Sequence, residues 1–185
     1  MRTRTIALLL VGAVAAAFAV GTSRTRPVIA DSDVDTTVVM RDDCDPDDTN
    51  WAPTGGCALQ HGDVTAAEFD EELISPLAAS AIGHQAWRHD PPYLQIHAEQ
   101  DVKVTNRGGR LHTFTEVEEF GGGRIPPLNH GLVPADECVL PNTPINVPPG
   151  ASIEVTGLSA GNHRFQCCIH PWMRAVVKVG EAGEN

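Results

Sequence analysis

The segment Phe165-Gln166-Cys167-Cys168-Ile169-His170-Pro171-Trp172-Met173 constrains this chain more than any other. It stands directly before a run of strict alternation, in which Ala175, Val177 and Val179 share one face and Arg174, Val176 and Lys178 the other. Alternation with period two marks a half-buried β-strand. A thiol, an imidazole and a thioether are therefore gathered by the end of one strand, a tight turn and the start of the next. Val102 and Val104 alternate in the same way with Lys103 and Thr105, and Ile153 and Val155 with Ser152, Glu154 and Thr156. Asn106-Arg107-Gly108-Gly109, Pro148-Pro149-Gly150 and Ala160-Gly161-Asn162 supply turns between such runs. From Tyr93 onward the pattern predicts a small antiparallel sandwich. Residues 119–145 lack alternation and are rich in Gly and Pro, which predicts a long connection crossing one end of it. Phe120-Gly121-Gly122-Gly123 within that stretch is not a phosphate loop, because no Lys-Ser/Thr follows.

Charge bears on what such a sandwich can bind. The 185 residues carry a formal charge of -11, which argues against a nucleic-acid partner. Residues 31–72 hold thirteen acidic side chains against Arg41 alone, while residues 73–185 hold eleven against eight basic ones. The charge belongs to the front of the chain. Before it, Met1–Thr5 is basic and Ile6 to Val20 is apolar, the pattern of an export signal, with small-x-small cleavage patterns at Ala17-Phe18-Ala19 and Val28-Ile29-Ala30. A retained anchor is the alternative, although the apolar segment falls short of the roughly 20 residues that span a bilayer. Both readings place the remainder outside the cytoplasm, periplasmic or secreted, with the membrane involved only if the anchor is kept. Asp31 to about Gly62 reads as an acidic loop or disordered arm. Asp43-x-Asp45-x-Asp47 is no EF-hand, since Asp48 and Thr54 replace the required Gly and Glu. Thr65-Ala66-Ala67-Glu68 is a capping box, and Phe69, Leu73 and Ile74 follow at helical spacing. A helix over 66–75 is expected, with a further turn over 77–82. The expected organisation is a signal over 1–30, an acidic extension with a short helix over 31–85, and the sandwich over 86–181.

Soft sulfur with imidazole is the donor set that copper selects, and one Cys, two His and a weak Met make the blue-copper set. With five Cys, eight His and three Met in the chain, Cys-x-x-His-x-x-Met is expected by chance about 0.004 times. A second His has to come from elsewhere. His112 follows a Gly-Gly turn after the Val102–Asn106 run and shares a strand face with Phe114, which makes it the candidate. His61, His84, His89, His97, His130 and His163 read as surface or hydrogen-bonded histidines.

With these residues set out, the stretch from about Trp87 to Val179 resembles the cupredoxins, the small blue copper proteins. The matching residues are Pro92-x-x-Gln95-Ile96, Asp101-Val102-x-Val104-x-Asn106, His112-Thr113-Phe114-Thr115 and Gly161-x-His163-x-Phe165-x-Cys167-x-x-His170-Pro171-Trp172-Met173. The resemblance implies an all-β Greek-key sandwich holding one copper ion, cycling between Cu(II) and Cu(I), near one end. Carried over by position, His112, Cys167, His170 and Met173 are the ligands. Thr113 stands where these proteins often have Asn. The acidic arm and the long Gly/Pro-rich insertion have no counterpart in the smallest members.

Cys168 poses a separate question. Successive strand residues point to opposite faces, so Cys168 shares the polar, outward-expected face of Arg164 and Gln166 and points away from the Cys167 donor. The four cysteines other than Cys167 allow three pairings. The favoured one joins Cys138 to Cys168, clipping the long loop to the sandwich, and Cys44 to Cys57 within the arm. His170 is expected to reach the surface, and Pro171 and Trp172 beside it to form an apolar docking patch for a redox partner protein, unless Trp172 instead covers the metal. The functional expectation is an exported one-electron carrier and not an enzyme, because Cys167 has no orienting acid or oxyanion motif beside it. The alternative is a copper-delivery module outside the cytoplasm.

Overall fold

The computed structural model describes residues 36–54, 56–59, 61–74, 81–82, 87–142 and 144–181. The export segment, its cleavage positions and His84 lie outside these residues, as does most of the turn expected over 77–82. Among the described residues no helix is long and apolar enough to cross a membrane.

Among the described residues, ten strands build a sandwich. β1 (Thr37–Arg41), β2 (Arg88–Asp90), β4 (Val102–Asn106) and β8 (Ser152–Val155) form one sheet in the order β2-β1-β4-β8. β3 (Tyr93–Ile96), β10 (Arg174–Val179), β9 (Gly161–Gln166) and β6 (Thr115–Val117) form the other, in the order β3-β10-β9-β6. β5 (His112–Thr113) and β7 (Asn146–Val147) make a two-stranded pair, with His112 opposite Val147. The chain crosses repeatedly from sheet to sheet, as in a Greek key. The alternation read from the sequence places Val102 and Val104 in the core from one side, and Ala175, Val177 and Val179 from the other. Phe114 and Phe165 stack between them with ring centroids 4.3 Å apart. The sandwich is mixed and not purely antiparallel as expected, because β1 runs parallel to β4 and β3 parallel to β10.

The arm expected over 31–62 is corrected by β1. Thr37-Val38-Val39-Met40-Arg41 lies between β2 and β4, and Val38 and Met40 are both 0% exposed. β-branched residues suit a pleated, half-buried surface, and this run is strand despite its acidic surroundings. A sandwich boundary at residue 86 therefore cuts through a sheet. Beyond β1 the extension folds back on itself through a Cys44–Cys57 disulfide and buries Trp51. The expected helix is α1 (Ala66–Ile74). Its capping box closes in both directions, with Thr65 N–H donating to Glu68 Oε2 at 2.9 Å and Glu68 N–H to Thr65 Oγ1 at 3.2 Å.

The long connection does more than cross one end. It lies over the face of β9 and β10 that was expected to point outward, so Gln166, Cys168 and Arg174 are buried. Phe120 and Val117 pack there with Cys138, which is bonded to Cys168. The Arg174 guanidinium reaches three carbonyls, of Pro171 (2.7 Å), Ala81 (2.9 Å) and Gly121 (3.2 Å), and lies over the Phe120 ring. Burial lowers its pKa to about 10. At Gly123 a Cβ would run into the Cys168 carbonyl, so only glycine allows the loop this close. Both disulfides are those favoured from the sequence. The Cys138–Cys168 bridge spans 30 residues, and a Cys138→Ala/Cys168→Ala double variant is expected to lose about 3–4 kcal/mol of unfolding free energy. Denaturant titration against the unaltered chain measures the difference.

Candidate metal centre

Three donors meet where β5 faces the turn between β9 and β10. Cys167 Sγ lies 3.7 Å from His170 Nδ1 and 4.0 Å from His112 Nδ1, and the two Nδ1 atoms are 3.2 Å apart. Among the described residues, His112, Cys167 and His170 form the cluster of His, Cys, Asp or Glu able to hold a metal ion. These separations test the fit directly. With metal bonds of about 2.0 Å to nitrogen and about 2.3 Å to sulfur, these three atoms are close enough to be held by one ion. One cysteine sulfur with two imidazole nitrogens is the donor set that suits copper among the first-row metals.

Local structure accounts for each donor. Cys167 N–H donates to the Met173 carbonyl at 2.9 Å, and Met173 N–H to the His170 carbonyl at 2.9 Å, so the turn closes on itself. Met173 is wholly buried in the core beside this turn. His112 is delivered across the sandwich end by its pairing with Val147. Thr113 N–H donates to Cys167 Sγ at 3.3 Å and His170 N–H does so at 3.5 Å. The Thr113 hydroxyl accepts from Cys168 N–H at 2.7 Å. Thr113 thus ties the two ligand-bearing segments together, occupying the place where Asn was the commoner expectation.

The electrostatics favour a thiolate. Burial raises the Cys167 thiol, but hydrogen bonds to His112 and His170 and their charge outweigh it and hold the group well below its ordinary value. Burial lowers His112, yet hydrogen bonds to Asp42 and Cys167 prevail and raise it to about 9. Asp42 at the end of β1 is the residue that sequence reasoning missed. Its Oδ2 lies 3.2 Å from His112 Nε2, and the carboxylate accepts Gly109 N–H at 2.7 Å and Arg110 N–H at 2.8 Å. Burial raises its pKa, and these hydrogen bonds with the His112 charge bring it below the usual value. Its one visible signal was a place in a run of acids, which says nothing of a partner 70 residues away.

Three expectations about the site's surroundings are corrected. Trp172 is 2% exposed and Pro171 is buried, so neither offers a docking patch. Trp172 packs against Phe69 of α1 and Trp87, with centroids 5.6 and 6.1 Å away. His170 is 7% exposed and does not stand free at the surface, because Trp87 meets its ring edge-on at 4.9 Å. His89 is neither a surface nor a hydrogen-bonded histidine. It is fully buried against Phe114, and no hydrogen bond reaches either ring nitrogen. His163 is hydrogen-bonded as expected, to Glu116 and to the Ser159 carbonyl. The extension reaches Trp172 through Phe69 of α1, while Trp87 covers His170 and Phe114 packs against His89.

No family model matches the chain, and no curated protein matches it in sequence. Several solved structures are similar in chain path. A purple cupredoxin from Nitrosopumilus maritimus matches at 15% identity, over 78% of this chain and 98% of that one, with a TM-score of 0.39. Amicyanin from Paracoccus versutus (Thiobacillus versutus) matches at 21% identity, over 56% of this chain and 84% of its own, with a TM-score of 0.36. A reduced amicyanin mutant matches at 19% identity, over 56% and 85%, with a TM-score of 0.34.

Proposed function

We propose that this chain is an exported protein that holds one copper ion and carries single electrons. The observation that carries the reading is the convergence of three buried donor atoms, Cys167 Sγ, His112 Nδ1 and His170 Nδ1, within 4.0 Å of one another. Copper bound there supplies a one-electron couple between Cu(II) and Cu(I). These three side chains would hold it, and Met173, buried beside the turn, is proposed as a further weak donor that would tune the potential. The Thr113 and His170 amides stabilise the sulfur's charge. Packing on every side keeps the donors in place whichever oxidation state is present, so little rearrangement accompanies transfer. Burial of all three donors also favours electron carriage over delivery of the metal, since handing on an ion requires an acceptor to reach its ligands. The route to a redox partner protein is proposed to leave by the His170 edge and the Trp87 ring against it. Two disulfides and the apolar N-terminal segment support a location outside the cytoplasm, where disulfides persist.

The test is optical. Metal-free protein given Cu(II) is expected to develop an intense visible thiolate-to-copper absorption that a reductant bleaches and an oxidant restores. Cys167→Ser should abolish the band. A copper-loaded protein that stays colourless under oxidising conditions refutes the reading. Copper that a mild chelator strips readily, with no reversible couple in voltammetry, would favour delivery instead.

A further inference from the structure

Asp42 is a buried carboxylate, with a side chain 2% exposed, on a strand end far in sequence from the copper-binding turn. Desolvating a carboxylate is costly unless hydrogen bonds or charge compensate it. Two of the N–H groups it accepts, from Gly109 and Arg110, belong to the turn that leads into His112. The third contact is His112 Nε2 itself. That nitrogen faces away from Cys167 and His170, which meet the same ring at Nδ1. A carboxylate on the far nitrogen keeps the proton there and leaves the near one free to bind, as outer carboxylates do for metal-bound histidines.

Charge counting gives the consequence. Thiolate and carboxylate together bring two negative charges into a buried site, which balance Cu(II) and leave Cu(I) with one in excess. We propose that Asp42 is a positioning residue of the metal centre, fixing the His112 ring with Nδ1 toward the metal and biasing the site toward Cu(II). The N-terminal extension is thereby a working part of the centre and not a tether. This rests on the copper reading above.

The test compares Asp42→Asn with the unaltered full chain, each loaded with copper. Cu(II) affinity is expected to fall about 10–100-fold, and Cu(I) affinity to fall less. For a one-electron couple each tenfold difference raises the potential by about 59 mV. The sign separates this role from mere loosening, because water entering the variant's site would stabilise the more highly charged Cu(II) and lower the potential. A raised potential supports the proposal; an unchanged or lowered one overturns it. Should the variant fail to fold, proton NMR of the Cu(I)-loaded wild type decides. A slowly exchanging His112 Nε2–H supports the role, and an unprotonated or fast-exchanging Nε2 overturns it. Failure of the copper reading looks different, since the wild type would then lack the thiolate band altogether.

Discussion

A chain shortened to begin at residue 86 is expected not to fold, although it keeps every residue of the Cys167–Met173 turn. The deletion removes β1 from between β2 and β4, and with it Val38 and Met40. Losing a buried side chain of this kind costs about 2–5 kcal/mol. Backbone donors and acceptors along both neighbouring strands lose their partners as well. The combined loss is comparable to the roughly 5–15 kcal/mol that holds a domain together. The Trp51–Phe69–Trp87 cluster over the metal end loses two of its three rings in the same step. Circular dichroism and the dispersion of amide NMR signals measure the outcome. A chain starting at Asp33, which keeps β1, is expected to unfold cooperatively. Native-like dispersion in the shorter chain would show that β1 is dispensable.

The second large effect is a loss of stability in acid that traces to His89. Its ring is sealed against Phe114 without a hydrogen bond to either nitrogen, and burial with repulsion from His112 and His170 depresses its pKa to about 3. The unfolded chain takes up this proton near the ordinary value of 6.5, so between the two values the unfolded state binds more protons. Stability is then complete above about pH 6.5 and falls as pH drops toward 3, by up to roughly 5 kcal/mol. His112 acts in the opposite direction in the metal-free protein. Its folded pKa is raised to about 9, so its contribution is complete below about pH 6.5 and is lost as pH rises through 9. Urea unfolding of metal-free protein across this range should show a maximum near neutrality. In His89→Leu the acid limb should flatten. An acid limb of unchanged slope would mean that other groups govern it.

What could be read from residues alone followed the distance over which each pattern acts. Cys167 and His170 sit three residues apart in one turn, and a turn of that length brings its own members together through chain connectivity. The capping box at Thr65 and Glu68 and the alternation in β4 and β10 are equally local, and all of them stand in the structure. The favoured disulfides were reachable because strand alternation turns Cys168 away from Cys167. β1 was obscured because five strand residues are bordered by acids whose charge suggested solvent. The outer face of β9 and β10 was misjudged because polar Gln166 and Arg174 satisfy their hydrogen bonds beneath the loop, which no alternation rule foresees.

The sequence by itself determined the spacing of Cys167, His170 and Met173 and the alternating strands that carry them, since spacing within a turn and period two within a strand are properties of neighbouring residues. Tertiary structure alone decided that Asp42 meets His112, that Trp87 and Trp172 seal His170, and that the extension belongs to the sheet. The contacts of Asp42 with His112 and of Trp87 with His170 join residues tens of positions apart, and they are set by which strand lies beside which. Sheet neighbours are chosen by the burial of a shared core, a property of the assembled chain that no local pattern records.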